Sequence, residues 1–314
     1  MINRCERVGS IGYMNEFPDF KVPDFEIQSY NRRFHEANVI IDAPASQIHY
    51  PEHWGGLSIK CAFNGSENYR TTKTHYRVDD SSFLVFNEGN LYSSWIDETK
   101  PVDSFTLNMT PGFEKQATSA LLSSQASIID DPLKSYPDRI RFIECLYHHG
   151  GGITELMMKM RALAKDLRRN SLRLEEMFFE LFIAMNSLQT TTHLSPDQSY
   201  LRRPARLELY QRLLRARDFM QSCFSGNLTL SAISEVACLN KFHFLREFRR
   251  AFGKTPHRFL TEARMAAACD KMSRTSDPIA KVCNDVGYDD LASFCKLFKK
   301  ETGYTPAAYR LIHQ

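Results

Sequence analysis

Two kinds of hydrophobic spacing divide the chain. From about Phe20 to Phe113 the apolar residues come in short runs, such as Glu26–Tyr30, Gly56–Phe63 and Ser82–Phe86, separated by Asn64-Gly65, Asp79-Asp80, Asn87–Asn90 and Thr110–Gly112. Short runs rich in β-favouring residues and broken by turn formers predict antiparallel β-structure, as a small barrel or a sandwich. From Ile153 to Leu188 the spacing changes: Leu156, Met160, Leu163, Leu167, Leu174, Met177, Phe178, Leu181 and Met185 recur at three- and four-residue steps. That period predicts an antiparallel helix pair, broken at Asn170-Ser171, which either packs on the β-structure or forms a dimer surface. Residues 191–203 carry turn formers and little periodicity and read as a linker. The expected domains are therefore 1–190 and 204–314.

The second domain contains an internal repeat. Phe248–Pro256 reads FRRAFGKTP, and fifty positions later Phe298–Pro306 reads FKKETGYTP. Phe244 pairs with Phe294 and Arg246 with Lys296 at the same offset; Leu230, Ile233 and Ala237 pair with Ile279, Val282 and Val286 at forty-nine. Each copy starts with a short helix apolar on one face, turns at Cys238-Leu239 or Gly287-Tyr288, and meets a capping side chain at Asn240 or Asp289-Asp290. A second helix follows and stops at Gly253 or Gly303, with Pro256 or Pro306 preventing its continuation. Helix, turn, helix, stop is thus the repeated unit. In its second helix Phe244, Phe248 and Phe252 are spaced to face inward, which leaves Lys241, Phe242, Leu245, Arg246 and Arg249 outward. In the second copy Leu291, Ala292, Cys295, Lys296 and Lys299 are left outward. A helix about 10–12 Å across fits a major groove about 12 Å wide, where arginine or lysine pairs with guanine and apolar groups touch thymine methyls.

Charge sharpens this division. The whole chain of 314 residues carries a formal net charge of only +3. Residues 1–202 hold 21 Lys+Arg against 26 Asp+Glu, whereas residues 203–314 hold 19 against 11, a net of +8 that suits a polyanion. The eight cysteines are scattered with no zinc or disulfide spacing, which is the usage of a reducing compartment. No apolar run long enough for a secretion signal or a membrane span is present, so a cytoplasmic protein is expected.

The ordered stretches Phe248–Pro256 and Val286–Arg310 closely resemble the DNA-binding domain of the AraC/XylS family of transcription regulators, over about residues 204–314. The resemblance implies an α+β protein: an N-terminal cupin-like β-barrel with a helical pair, followed by an all-α domain with two helix-turn-helix units. Phe259–Met272 then reads as the helix that holds the two readers apart, about one DNA turn or roughly 34 Å. Carried over residue by residue, the base-facing positions are Phe242, Leu245 and Arg246 in the first unit and Ala292, Cys295 and Lys296 in the second. Lys241, Arg249, Arg250, Lys254, Lys299, Lys300 and Arg310 are expected at phosphates. The chain departs from the family at Cys238, where a turn glycine is usual, and at Ser234 and Cys283, where alanine is usual. The partners implied are double-stranded DNA, RNA polymerase, a second copy of the chain and a small effector, with transcription activation the expected output.

Within the β-region Trp54, Tyr69, Tyr76, Phe86, Tyr92 and Trp95 are candidates to line an effector pocket. His49, Glu52 and His53 have ligand chemistry, but the metal-binding cupin pattern is absent and Pro51 argues for a surface loop, so no metal is expected. His148–Gly152 lacks the residues of a phosphate loop and reads as a hinge before a helix. No nucleophile or cofactor motif is visible, so no catalytic residue and no cofactor is expected. Two alternatives keep the DNA-binding tail: an N-terminal domain that only dimerises or contacts a protein, and a barrel enzyme.

Overall fold

A computed structural model of the chain describes residues 6–18, 33–123, 140–192 and 203–313. The expected strand at Glu26–Tyr30 and almost all of the expected linker lie outside these residues. The chain divides into two compact units, residues 1–194 and 195–314. It is mixed α+β, with all of the described strands in the first unit.

Unit 1 is built on one curled sheet. Its strands are β1 (Glu6–Val8), β2 (Ile11–Met14), β3 (Asn38–Gly55), β4 (Ser58–Phe63), β5 (Ser66–Thr71), β6 (His75–Asp79), β7 (Ser82–Phe86), β8 (Asn90–Asn108) and β9 (Leu146–His148). The order is β1-β2-β3-β8-β4-β7-β9, and β5 pairs with β6 and β8. Strand β8 is the hub: it pairs with β3 along most of its length, with β5 near its start and with β4 near its end. Short strands β4 and β7 are buried almost throughout, because both of their faces are covered. Ile59, Cys61, Phe83, Val85, Phe105 and Leu107 point one way, into a core shared with α1 (Phe113–Ser123), α2 (Gly151–Ala164) and α3 (Leu167–Thr192). Ala62, Leu84, Phe86 and Val102 point the other way and meet Tyr69, Tyr76 and Tyr92 inside the curl.

Arg161 of α2 locks helix to sheet, reaching Asp42 at 2.6 Å and Asp103 at 3.3 Å on the paired strands β3 and β8. The helix break falls at 165–166 and not at Asn170-Ser171. Asn170 lies one turn inside α3 and donates from Nδ2 to the carbonyls of Leu163 and Asp166, at 3.1 and 2.9 Å. It closes the preceding turn instead of ending a helix. The surface loop expected at Ile48–Trp54 is also corrected: it is the far end of β3, and Pro51 sits in a register shift between Tyr50 and His53. A bulge is one of the few places where a sheet tolerates a residue without an N–H.

Unit 2 is helical: α4 (Arg203–Ser222), α5 (Leu230–Val236), α6 (Lys241–Phe252), α7 (Pro256–Arg274), α8 (Ile279–Asp285), α9 (Leu291–Thr302) and α10 (Pro306–His313). The expected caps form. Asn240 accepts from the His243 N–H, Asp290 from those of Ala292 and Ser293, and Gly253 and Gly303 close α6 and α9 with φ of 70° and 82°. Two cores result. Phe244 and Phe248 pack with Leu213, Met220 and Ile233, while Phe294 and Phe298 pack with Val282, Met265 and Met272. Helix α7 belongs to both, with Phe259 against the first core and Met265, Ala268 and Met272 in the second.

Candidate nucleic-acid interface

The outward faces of α6 and α9 are set by what their inward faces bury. In α6 Phe244, Glu247 and Phe248 are buried, which turns Lys241, Phe242, Arg246, Arg249 and Arg250 to the surface. Phe242 is 87% exposed, too much for an aromatic ring whose role is packing within the domain. Leu245 is half-buried on the flank of this face. In α9 Phe294 and Phe298 are buried, and Leu291, Ala292, Ser293, Lys296, Lys299 and Lys300 are exposed. Cys295 is half-buried and packs against the second core, so it offers the surface less than its spacing implies.

The two faces differ electrostatically because of one residue. Glu247 is fully buried, and its Oε1 accepts from Arg246 Nε at 2.9 Å and Arg250 Nη1 at 3.4 Å, with His243 Nε2 at 3.6 Å. The Arg246 side chain stays 61% exposed, so the carboxylate steadies a guanidinium that still reaches outward. Fifty positions on, the same helix position is Leu297. Lys296, Lys299 and Lys300 form no ion pair among the described residues.

Two expected phosphate contacts are engaged inside the domain. Lys254 pairs with Glu262 at 2.5 Å and lowers that carboxyl's pKa. Arg310 is half-buried and donates to the carbonyl of Asp277 at 2.6 Å. Neighbouring cations fix the geometry between the two repeats. Arg258 bridges Glu262 and Glu301 at 2.8 and 2.7 Å and holds the Glu301 carboxyl below its ordinary range. Arg264 donates to the carbonyls of Phe224 and Gly226 and stacks 5.1 Å over Tyr288.

The turn between α5 and α6 places Cys238 at φ 52°, a left-handed conformation, and the matching turn between α8 and α9 places Gly287 at φ 83°. A Cβ at Gly287 would sit 2.7 Å from the Ser225 carbonyl, so that turn needs glycine twice over.

Comparison with known proteins agrees with this geometry. A family model described as a helix-turn-helix domain matches residues 233–311. The arabinose operon regulatory protein of Escherichia coli is 31% identical over 85 residues, covering 27% of this chain and 29% of that protein. Residues 233–311 therefore match a helix-turn-helix domain, and the two repeats are similar to those of AraC-type transcription regulators. Other relatives of this domain include the MmsAB operon regulatory protein of Pseudomonas aeruginosa, 32% identical over 92 residues, or 29% of this chain and 30% of that one. The transcriptional activator RclR of Escherichia coli is 34% identical over 82 residues, or 26% and 29%. The chain thus spans about a third of the length of these curated relatives. Among solved structures, the C-terminal domain of the response regulator AraT from Geobacillus stearothermophilus is 31% identical, with a TM-score of 0.31, covering 32% of this chain and 84% of that one.

A second concavity lies inside unit 1. It has a volume of about 250 Å³ and opens between the Trp54 end of β3 and the turn at Glu88-Gly89. Of the six expected lining aromatics it includes Trp54, Tyr69 and Tyr92. Tyr76 and Phe86 stand behind it in the core. Trp95 faces away and stacks on His75 at 5.3 Å. His53 lines the cavity, held between Tyr50 and Tyr92, and burial lowers its pKa to about 4; His49 is exposed. Sequence reasoning missed the polar lining, Lys60, Glu67, Ser104, Thr106 and Asn108. The legible signal was a lysine inside the otherwise apolar run Ile59-Lys60-Cys61. Among the described residues no helix is long and apolar enough to cross a membrane.

Proposed function

We propose that the chain is a sequence-specific transcription regulator of the cytoplasm, in which α6 and α9 enter successive major-groove segments and unit 1 binds a small effector. The observation that carries this reading is the duplicated, capped helix-turn-helix with two outward basic helix faces. Arg246 is the principal base reader, with Phe242 and Leu245 beside it for thymine methyls. Ala292 and Lys296 give the second unit a methyl contact and a cation but few hydrogen-bonding choices, so specificity leans on the first. Lys241, Arg249, Arg250, Lys299 and Lys300 anchor phosphates and supply salt-dependent affinity. The cavity in unit 1 favours an effector over a purely structural N-terminal role. Leu172, Phe179 and Ile183, exposed at seven- and four-residue steps on α3, supply an apolar stripe for a second copy of the chain. RNA polymerase is the partner through which activation would be delivered.

Selection of sites from a random duplex pool, by wild type and by Arg246→Ala at one stated salt concentration, tests the reading. Two sequence blocks about one helical turn apart are expected. The variant should relax a single position within one block. Absence of any enriched motif, even at low salt, would sink the proposal.

A further inference from the structure

The strand register of unit 1 decides which side chains meet inside its cavity. On the antiparallel pair of β4 and β8, Ser58 lies opposite Asn108, Lys60 opposite Thr106 and Ala62 opposite Ser104. Alternation therefore puts these six on one face and Ile59, Cys61, Phe105 and Leu107 on the other, in the helix-packed core. Lys60 and Asn108 are thus diagonal neighbours on the cavity face, about 7–8 Å apart at the backbone and within reach of one small group.

Both carry unused donors. Lys60 is only 8% exposed, yet among the described residues its ammonium makes no hydrogen bond or ion pair. It lies 5.4 Å above the Tyr92 ring, facing the cavity. Burying an ammonium without a hydrogen-bonded partner is costly, and such groups are otherwise paired. Asn108 is 6% exposed, and among the described residues its buried Nδ2 has no hydrogen-bond partner. Two acids line the cavity, Glu88 by the turn at Gly89 and Glu67 near the Lys60 charge, and among the described residues neither is hydrogen-bonded to Lys60 or Asn108. Glu67 accepts from Ser104 Oγ at 2.7 Å and is also hydrogen-bonded to Tyr69 and Ser94, so its acceptor capacity is largely taken. What the polar floor calls for is an acceptor bearing negative charge. The apolar part of the wall includes Phe17, Phe34, Ile41, Tyr50, Trp54 and Tyr92, which suit an apolar body.

We propose that this cavity receives a small monocarboxylic acid with an aromatic or cyclic body, its carboxylate held by Lys60 and Asn108 and its body by the tyrosine and phenylalanine walls. The inference rests on the effector reading above and names the ligand class. An apolar cavity of about 150 Å³ takes benzene, so one of about 250 Å³ suits a ligand of about ten heavy atoms.

The test uses the full chain and three probes with one body and three head groups: 3-phenylpropanoate, 3-phenylpropanamide and 3-phenylpropylamine. Affinities come from titration calorimetry, with quenching of Trp54 at the cavity mouth as a second signal. The acid should bind at least tenfold tighter than the amide and the amine should bind weakest, as charge-assisted hydrogen bonds to a buried ammonium require. Lys60→Met and Lys60→Gln should each bring the acid down to the amide's affinity and leave the amide unchanged. Equal or tighter binding of the amide or amine overturns the inference. So does an acid preference that survives in both variants, or binding of none of the three up to millimolar concentration. DNA affinity separates the two levels of the claim. If the amine or amide binds and shifts DNA affinity, the effector reading stands and the acid assignment falls. If the acid binds with the stated preference and DNA affinity does not move, the acid assignment stands and the effector reading falls.

Discussion

The two helix-turn-helix turns differ at one position, and that difference has a calculable consequence. Cys238 occupies φ 52°, where an L-residue crowds its Cβ against the following carbonyl at roughly 1–2 kcal/mol. Its thiol is exposed, so Cys238→Gly removes this strain without emptying a core site. Glycine restores freedom to the unfolded chain, which costs roughly 0.5–1 kcal/mol. The balance is a stabilisation of about 0.5–1 kcal/mol, or about 0.5 M in urea midpoint for an m-value of about 1.5 kcal/mol/M. Gly287→Ala should do the reverse and by more. It adds the left-handed cost of roughly 1–2 kcal/mol and sets a methyl 2.7 Å from the Ser225 carbonyl, which is backbone and cannot swing aside. The assay has a built-in control. Both tryptophans, Trp54 and Trp95, lie in unit 1, so tryptophan fluorescence follows unit 1 while helical circular dichroism is dominated by unit 2. Cys238→Gly should raise the circular dichroism midpoint and leave the fluorescence midpoint in place. An unchanged or lowered midpoint, or a Gly287→Ala variant as stable as wild type, would show that backbone strain does not distinguish these turns.

Three further outcomes are expected. Glu247→Gln removes the buried charge that Arg246 and Arg250 share. It should steepen the log–log salt dependence of non-specific duplex binding by about one, and a slope equal to wild type would contradict that. Burial holds His53 and His75 near pKa 4, against an ordinary 6.5, so they stay neutral in the folded chain. The unfolded chain takes up these protons first, so the stability of unit 1 is complete above pH 6.5 and falls as pH drops toward 4. The steepest loss is about 1.4 kcal/mol per pH unit for each histidine. His53→Gln with His75→Gln should flatten the dependence of the fluorescence midpoint on pH, and an unaltered profile would count against burial as its cause. Arg264→Ala releases two backbone carbonyls and the Tyr288 ring, with an expected loss of about 2 kcal/mol in the circular dichroism transition. Loss of less than about 0.5 kcal/mol would mean that α7 alone sets the spacing of the repeats.

The helical half was legible because its signals are local. Caps, left-handed stops and the spacing of Phe244, Phe248, Phe294 and Phe298 each act within a turn or two of helix, and all of them formed as their residues required. Lys254 and Arg310 show the limit of such reasoning. Both sit in basic, helix-terminal stretches, and their partners Glu262, Asp277 and Met272 arrive from other parts of the chain.

Unit 1 separates local from non-local information more sharply. Turn residues and short apolar runs marked β4 and β7, and the helix pair showed in its period, with Asn170 alone misread because its side chain serves the preceding turn. The 18-residue β3 and 19-residue β8 were not legible, since each changes its surroundings along its length and so has no single alternation. By itself, then, the sequence determined two helix-turn-helix repeats, their outward basic faces and a β-rich partner, because period, caps and turns depend on neighbours in the chain. Only the tertiary structure decided that Glu247 lies beneath Arg246, that Cys238 is left-handed, and that Lys60 and Asn108 line one cavity. Those facts depend on register and burial, which are settled between strands and helices far apart in sequence.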